Sequence, residues 1–105
     1  MTELPFVVTS RQHHILGRQV LVQFADDFVL KLTQVEASSL SFALVAVRDG
    51  VSAEREIYMS PIASDAAFVG LVQSGGMSIE LPAGPLELDW ENVGFLAESL
   101  AAAIG

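Results

Sequence analysis

Glu80, Glu87 and Asp89 are the residues whose types and spacing come nearest to chemistry in this chain. Around them, residues 77–81 and 86–90 alternate apolar and polar side chains, and Pro82-Ala83-Gly84-Pro85 separates the two runs. A four-residue loop there pairs Leu81 with Leu86, Ile79 with Leu88 and Met77 with Trp90. That register sets Glu80 directly across from Glu87 on the polar face, with Asp89 two residues further along. Carboxylates so placed can work as a general acid and base, or hold a hard cation such as calcium. They also make a solvated acidic face, and that plainer reading is the one expected, with a basic protein partner as its functional form. Trp90 stands beside them at a strand-to-helix junction, where a large ring either anchors an interface or packs under the following helix. The candidate partner-binding patch is therefore Glu80, Glu87, Asp89 and Trp90. No residue is assigned to catalysis, a cofactor or a metal.

Other constellations are weaker. His13 and His14 are adjacent, so their side chains diverge on a strand and lie about 100° apart on a helix. With two histidines and no cysteine in the chain, a zinc site would need acidic ligands, and surface histidines are expected instead. Ser74-Gly75-Gly76 reads as a turn and not a nucleophile elbow, and no glycine run is followed by the lysine of a phosphate loop.

The bases are Arg11, Arg18, Lys31, Arg48 and Arg55, and residues 56–105 contain seven acidic side chains and no Lys or Arg. With a net charge of -8, the second half would repel nucleic acid, phosphorylated ligands and anionic membrane. The 105 residues form a single β-rich domain, 1–105, and a composition 51% hydrophobic and 17% charged argues against disorder. The apolar content is high for this size, which makes cover by a second copy, a homodimer, a candidate arrangement. The start MTELPFVVTSRQ lacks a basic segment leading an apolar one, so no secretory leader is expected. The uncharged stretch 66–79 is shorter than the roughly 18 residues of a membrane span. A cytoplasmic protein is expected, without cofactors.

The elements that must position the acidic patch follow from period-two alternation. Val20, Val22 and Phe24 mark one strand and Phe28, Leu30 and Leu32 the next. A three-residue loop at 25–27 pairs Val22 with Leu30 and Val20 with Leu32, whereas a two-residue loop would set Lys31 on the apolar face. Leu40, Phe42 and Leu44 continue the alternation, and apolar residues between them suggest a central strand covered on both faces. Residues 55–59 form another strand, stopped by Pro61. Residues 66–73 suit either a helix capped by Ser64 or a strand turning at Gly75-Gly76; the strand is preferred, pairing Val72 with Ile79 and Gly70 with Leu81. A short helix at 11–16, capped by Ser10, is a weaker reading. Phe6, Phe24, Phe28, Phe42, Tyr58 and Phe68 are assigned to the core. From Asn92, taken as the cap, Val93, Leu96 and Leu100 recur at helical spacing over 92–104. No internal repeat is apparent.

The expected fold is mainly β: an antiparallel meander of six to eight short strands, a small barrel or sandwich, with a C-terminal helix. The expected function is a non-catalytic protein–protein interaction module of adaptor, immunity or chaperone-like type presenting an acidic face. The alternative is a small β-barrel that binds an apolar or cationic ligand, with weak enzymatic activity.

Overall fold

Antiparallel strand pairing organises the chain in a computed structural model that describes residues 5–15, 17–64 and 66–104. Strands β1 (Val7–His13), β2 (Gly17–Ala25) and β3 (Phe28–Thr33) make one sheet in that order. Strands β4 (Glu56–Met59), β5 (Phe68–Gln73), β6 (Gly76–Ile79) and β7 (Leu86–Asp89) make a second. Helices α1 (Gln34–Arg48) and α2 (Trp90–Ile104) each follow the last strand of a sheet. The fold is mainly β, two antiparallel sheets with a C-terminal helix, and the three- and four-stranded sheets do not close into a barrel.

In the β2–β3 hairpin, Val20 pairs with Leu32 and Val22 with Leu30, and all four are fully buried. The turn is Asp26-Asp27, closed by Ala25 opposite Phe28, and a bulge between Gln23 and Ala25 absorbs the residue that would otherwise slip the register. A two-residue turn and the correct apolar face thus coexist. β1 replaces the short helix expected over 11–16; of that span, Leu16 lies outside the described residues.

The largest departure from the alternation is α1, where a central strand was expected over 40–47. Thr33 starts the helix with a capping box: its hydroxyl accepts from the Glu36 N–H (3.2 Å), and Glu36 Oε1 accepts from the Thr33 N–H (2.9 Å). Ala37, Leu40, Leu44 and Val47 then bury at spacings of three, four and three, one stripe of a helix. The alternating Phe42 falls off that stripe and is 79% exposed, so it is not a core residue.

In the second sheet, Ile57, Phe68, Gly70, Met77, Ile79 and Leu88 are buried, and their strand neighbours take the opposite face, where Gly76 and Ser78 of β6 are covered as well. The 66–73 segment is a strand, as preferred, but Gly70 pairs with Ile79 and Val72 with Met77, two residues from the expected register. β6 and β7 differ in the same way: Met77 pairs with Leu88 and Ile79 with Leu86. A two-residue shift leaves each side chain on its face, so the apolar pattern tolerates it. Between β6 and β7 the register suits Gly76, at φ 154°, where a Cβ would run into the Leu88 carbonyl oxygen. Only glycine lets β7 come so close.

The two sheets carry like units. α1 and α2 begin and end 56 positions apart, and the strands before them keep that offset from Leu30/Leu86 onward. Leu30, Leu32, Leu40, Leu44 and Ala46 recur as Leu86, Leu88, Leu96, Leu100 and Ala102. Buried Ala37 matches buried Val93, and the Thr33 cap matches Asp89, whose Oδ1 accepts from the Asn92 N–H at 2.8 Å. Asp89, not Asn92, therefore starts α2. Each unit is a three-stranded antiparallel meander running into a 15-residue helix, and β4 is an addition to the second. The sequence hides this repeat because its offset is constant only from the last strand of each meander.

The helices pack antiparallel. Gln34 Nε2 donates to Ile104 O at the start of α1 (3.0 Å), Ser41 Oγ to Ala97 O at the middle (2.8 Å), and the Arg48 guanidinium lies over Gly94 at the end. Both touch the two sheets: α1 meets β2, β3 and β4, and α2 meets β1, β2, β6 and β7. Phe24 and Phe68 join the sheets directly, with ring centroids 6.1 Å apart. At the open edge of β3, Ser64 Oγ accepts from the Lys31 N–H (2.6 Å) and donates to the Lys31 carbonyl (3.1 Å). Among the described residues, no helix is long and apolar enough to cross a membrane.

Candidate functional site

Period-two alternation in β4 to β7 decides which side chains meet solvent on the second sheet. With Ile57 and Met59 turned inward, Tyr58 must turn outward, and it is 63% exposed instead of belonging to the core. Its neighbour across the ladder is Val69. The next row runs Glu56, Leu71, Ser78, Glu87 across all four strands. Ser78, 4% exposed, sits between Leu71 and Glu87. Glu80 follows β6, and its N–H donates to Val69 O (3.0 Å) beside the Tyr58 row. The face thus carries an apolar group of Tyr58, Val69 and Leu71 on β4 and β5, with Glu56 and Glu87 on opposite edge strands and Glu80 at one end.

The expected acidic cluster is partly assembled. Glu80 and Glu87 share the outward phase, but Glu87 stands opposite Ser78. Glu80 lies diagonally from Glu87, a separation of about 7 to 8 Å between such positions. Glu56 and Glu87 are three strand spacings apart, about 14 Å. The diagonal placement relieves the directly opposed repulsion of the expected pairing, and Glu56 is too far across the sheet to share a proton or a cation with Glu87. Among the described residues, no three His, Cys, Asp or Glu side chains are grouped to hold a metal.

Asp89 and Trp90 have other partners. Asp89 is exposed, opposite Gly76, and its carboxylate is committed to the start of α2, where negative charge also suits the helix dipole. Trp90 is half-buried against the core as the first residue of that helix, and its Nε1–H donates to Ser74 O (3.1 Å). It ties the β5–β6 turn to α2 and is not a free anchor. Tyr58 and Glu56, which the sequence reading did not place at the site, belong to it; the inward phase of Ile57 and Met59 is the signal for Tyr58.

Exposed Arg55 directly precedes Glu56 at the start of β4, where its carbonyl accepts from the Val72 N–H (2.8 Å), and the other bases lie elsewhere. Arg11 is on β1, where its Nε donates to Gln19 Oε1 (3.1 Å), and Arg18 on β2 donates to Ala103 O (3.1 Å) and Ser10 Oγ (3.2 Å). Arg48 pairs with Asp49 at 2.9 Å, and that hydrogen bond, then the Asp49 charge, and more weakly Glu98 raise its pKa. His13 and His14 stack at 4.9 Å instead of diverging, and His13 Nδ1 accepts from the Ile15 N–H (3.1 Å). No buried side-chain nitrogen or oxygen among the described residues lacks a partner, so no polar group waits in the core for a ligand.

Compared with known proteins, the chain matches no family model, no curated protein and no solved structure.

Proposed function

We infer that the outward face of the four-stranded sheet is a docking surface and that the protein is a non-catalytic interaction module for a basic protein partner. The observation that carries the reading is Tyr58, 63% exposed on the edge strand β4, with Val69 beside it and Glu56 two residues along the same strand. Exposed tyrosine with apolar neighbours is the composition of an interface centre, and charge at the rim steers the encounter more than it adds affinity. β5, β6 and β7 contain no Lys or Arg, so a cationic partner meets like charge beside this face only at Arg55, ahead of β4. A cytoplasmic location belongs to the same reading.

The test is affinity capture with the wild-type protein and two variants, Tyr58→Ala and the triple reversal Glu56→Lys, Glu80→Lys, Glu87→Lys. A genuine partner is retained by the wild type, is lost from both variants, and dissociates faster as salt rises. Equal retention by all three proteins overturns the assignment of this face.

A further inference from the structure

The two units differ in kind at two counterpart positions on the outer faces of their helices. α2 carries Glu91 and Glu98 there, both exposed, as solvent-facing helix residues ordinarily are. Their counterparts in α1 are Val35 and Phe42, 75% and 79% exposed. α2 demonstrates that this fold accepts glutamate at both places, so packing within the chain does not require the apolar pair. Phe42 borders a cleft of about 250 Å³ whose other walls are Ser38, Ser41, Val45, Ala101 and Ile104. A projecting ring and an apolar recess therefore lie side by side on one surface. A two-fold contact between identical chains needs that combination, because each copy must offer both knob and hole.

Charge selects the same occupant. At a net charge of -8, most surfaces of two copies repel one another. Between residues 34 and 47, α1 carries one charge, Glu36, and its two carboxylate oxygens accept from the Thr33 N–H (2.9 Å) and the Ile62 N–H (3.0 Å). Two copies can approach over α1 itself without opposed glutamates, and the exposed Glu91 and Glu98 of α2 confine the contact to α1 and the cleft beside it.

We propose that the α1 face built on Val35 and Phe42 is a homodimer interface, with each Phe42 seated in the cleft of the other copy. A helix of 15 residues is about 22 Å long and about 10 Å wide. Two such faces with their clefts bury on the order of 500 Å² in total, below the standard specific interface, which makes the contact a weak and concentration-dependent one.

Sedimentation velocity from about 1 to about 500 µM tests this. The wild type is expected to pass from monomer to dimer across the series, while Phe42→Glu and Val35→Glu stay monomeric throughout with melting temperatures within about 4 °C of wild type. A wild type that is monomeric at every concentration, or a Phe42→Glu protein that dimerises as tightly, overturns the proposal. The interface is independent of the acidic sheet face: the triple lysine variant should dimerise at least as well as wild type, so equal partner retention with dimerisation intact tells against the sheet face alone, and a wild type that stays monomeric tells against the α1 face alone.

Discussion

The Ser41 hydroxyl donates to the carbonyl oxygen of Ala97 at 2.8 Å, and these two residues occupy the same position in their respective units. Counterparts meet each other only near an axis of approximate two-fold symmetry, so the helix pair forms the centre of an internal dimer. The two caps, Thr33 and Asp89, are related in the same way, and each starts a helix whose buried stripe faces the other.

Removing either cap should have a similar cost. Thr33→Ala and Asp89→Ala are each expected to lose about 1 kcal/mol, seen as a fall of roughly 4 to 8 °C in Tm. Thr33→Ser should retain most of the stability, because serine keeps the accepting oxygen. Thermal unfolding followed by far-UV circular dichroism checks all three, and an unchanged Thr33→Ala protein would count against the capping box.

Two glycines should respond in opposite directions to alanine. At Gly76 the new Cβ would run into the Leu88 carbonyl oxygen of the β7 backbone, which cannot give way, and a loss of about 3 kcal/mol or more is expected. At Gly94 the obstacle is the tip of the Arg48 guanidinium at 2.8 Å, which can swing aside. Helix propensity then makes Gly94→Ala neutral or stabilising by up to about 1 kcal/mol. Urea denaturation distinguishes the two outcomes.

Adjacent residues of β4 should separate stability from recognition. Ile57→Ala opens a hole beneath the sheet and is expected to cost about 2 to 5 kcal/mol. Tyr58→Ala, on the other face, should change stability by about 0.5 kcal/mol or less while abolishing partner capture. If Tyr58→Ala unfolds the protein as Ile57→Ala does, the ring is structural and the docking face loses its centre.

Faces are legible in this sequence where one side of a strand is apolar: Val20, Val22, Leu30, Leu32, Met77, Ile79 and Leu88 all turn inward as their alternation implies. Register is less legible, because pairings that differ by two residues present the same faces, and only the Gly76 contact separates them. α1 escapes the alternation argument because Leu40, Phe42 and Leu44 alternate by accident; Thr33-Gln34-Val35-Glu36 was the competing signal, a capping box ahead of an apolar run. At the candidate site, Glu80 and Glu87 reach one face, but Asp89 and Trp90 serve the start of α2. A local chain pattern places side chains on faces; it does not say which polar groups the next element will recruit.

The Ser64 hydroxyl has a consequence for the protein's behaviour at high concentration. By accepting from the Lys31 N–H and donating to the Lys31 carbonyl, it occupies both of the groups that an incoming strand would use at that point on β3. One side chain there does the work of a neighbouring strand and blocks edge-to-edge polymerisation. Ser64→Ala leaves a backbone pair open on a sheet edge, and the variant should form aggregates on concentration long before its fold is lost.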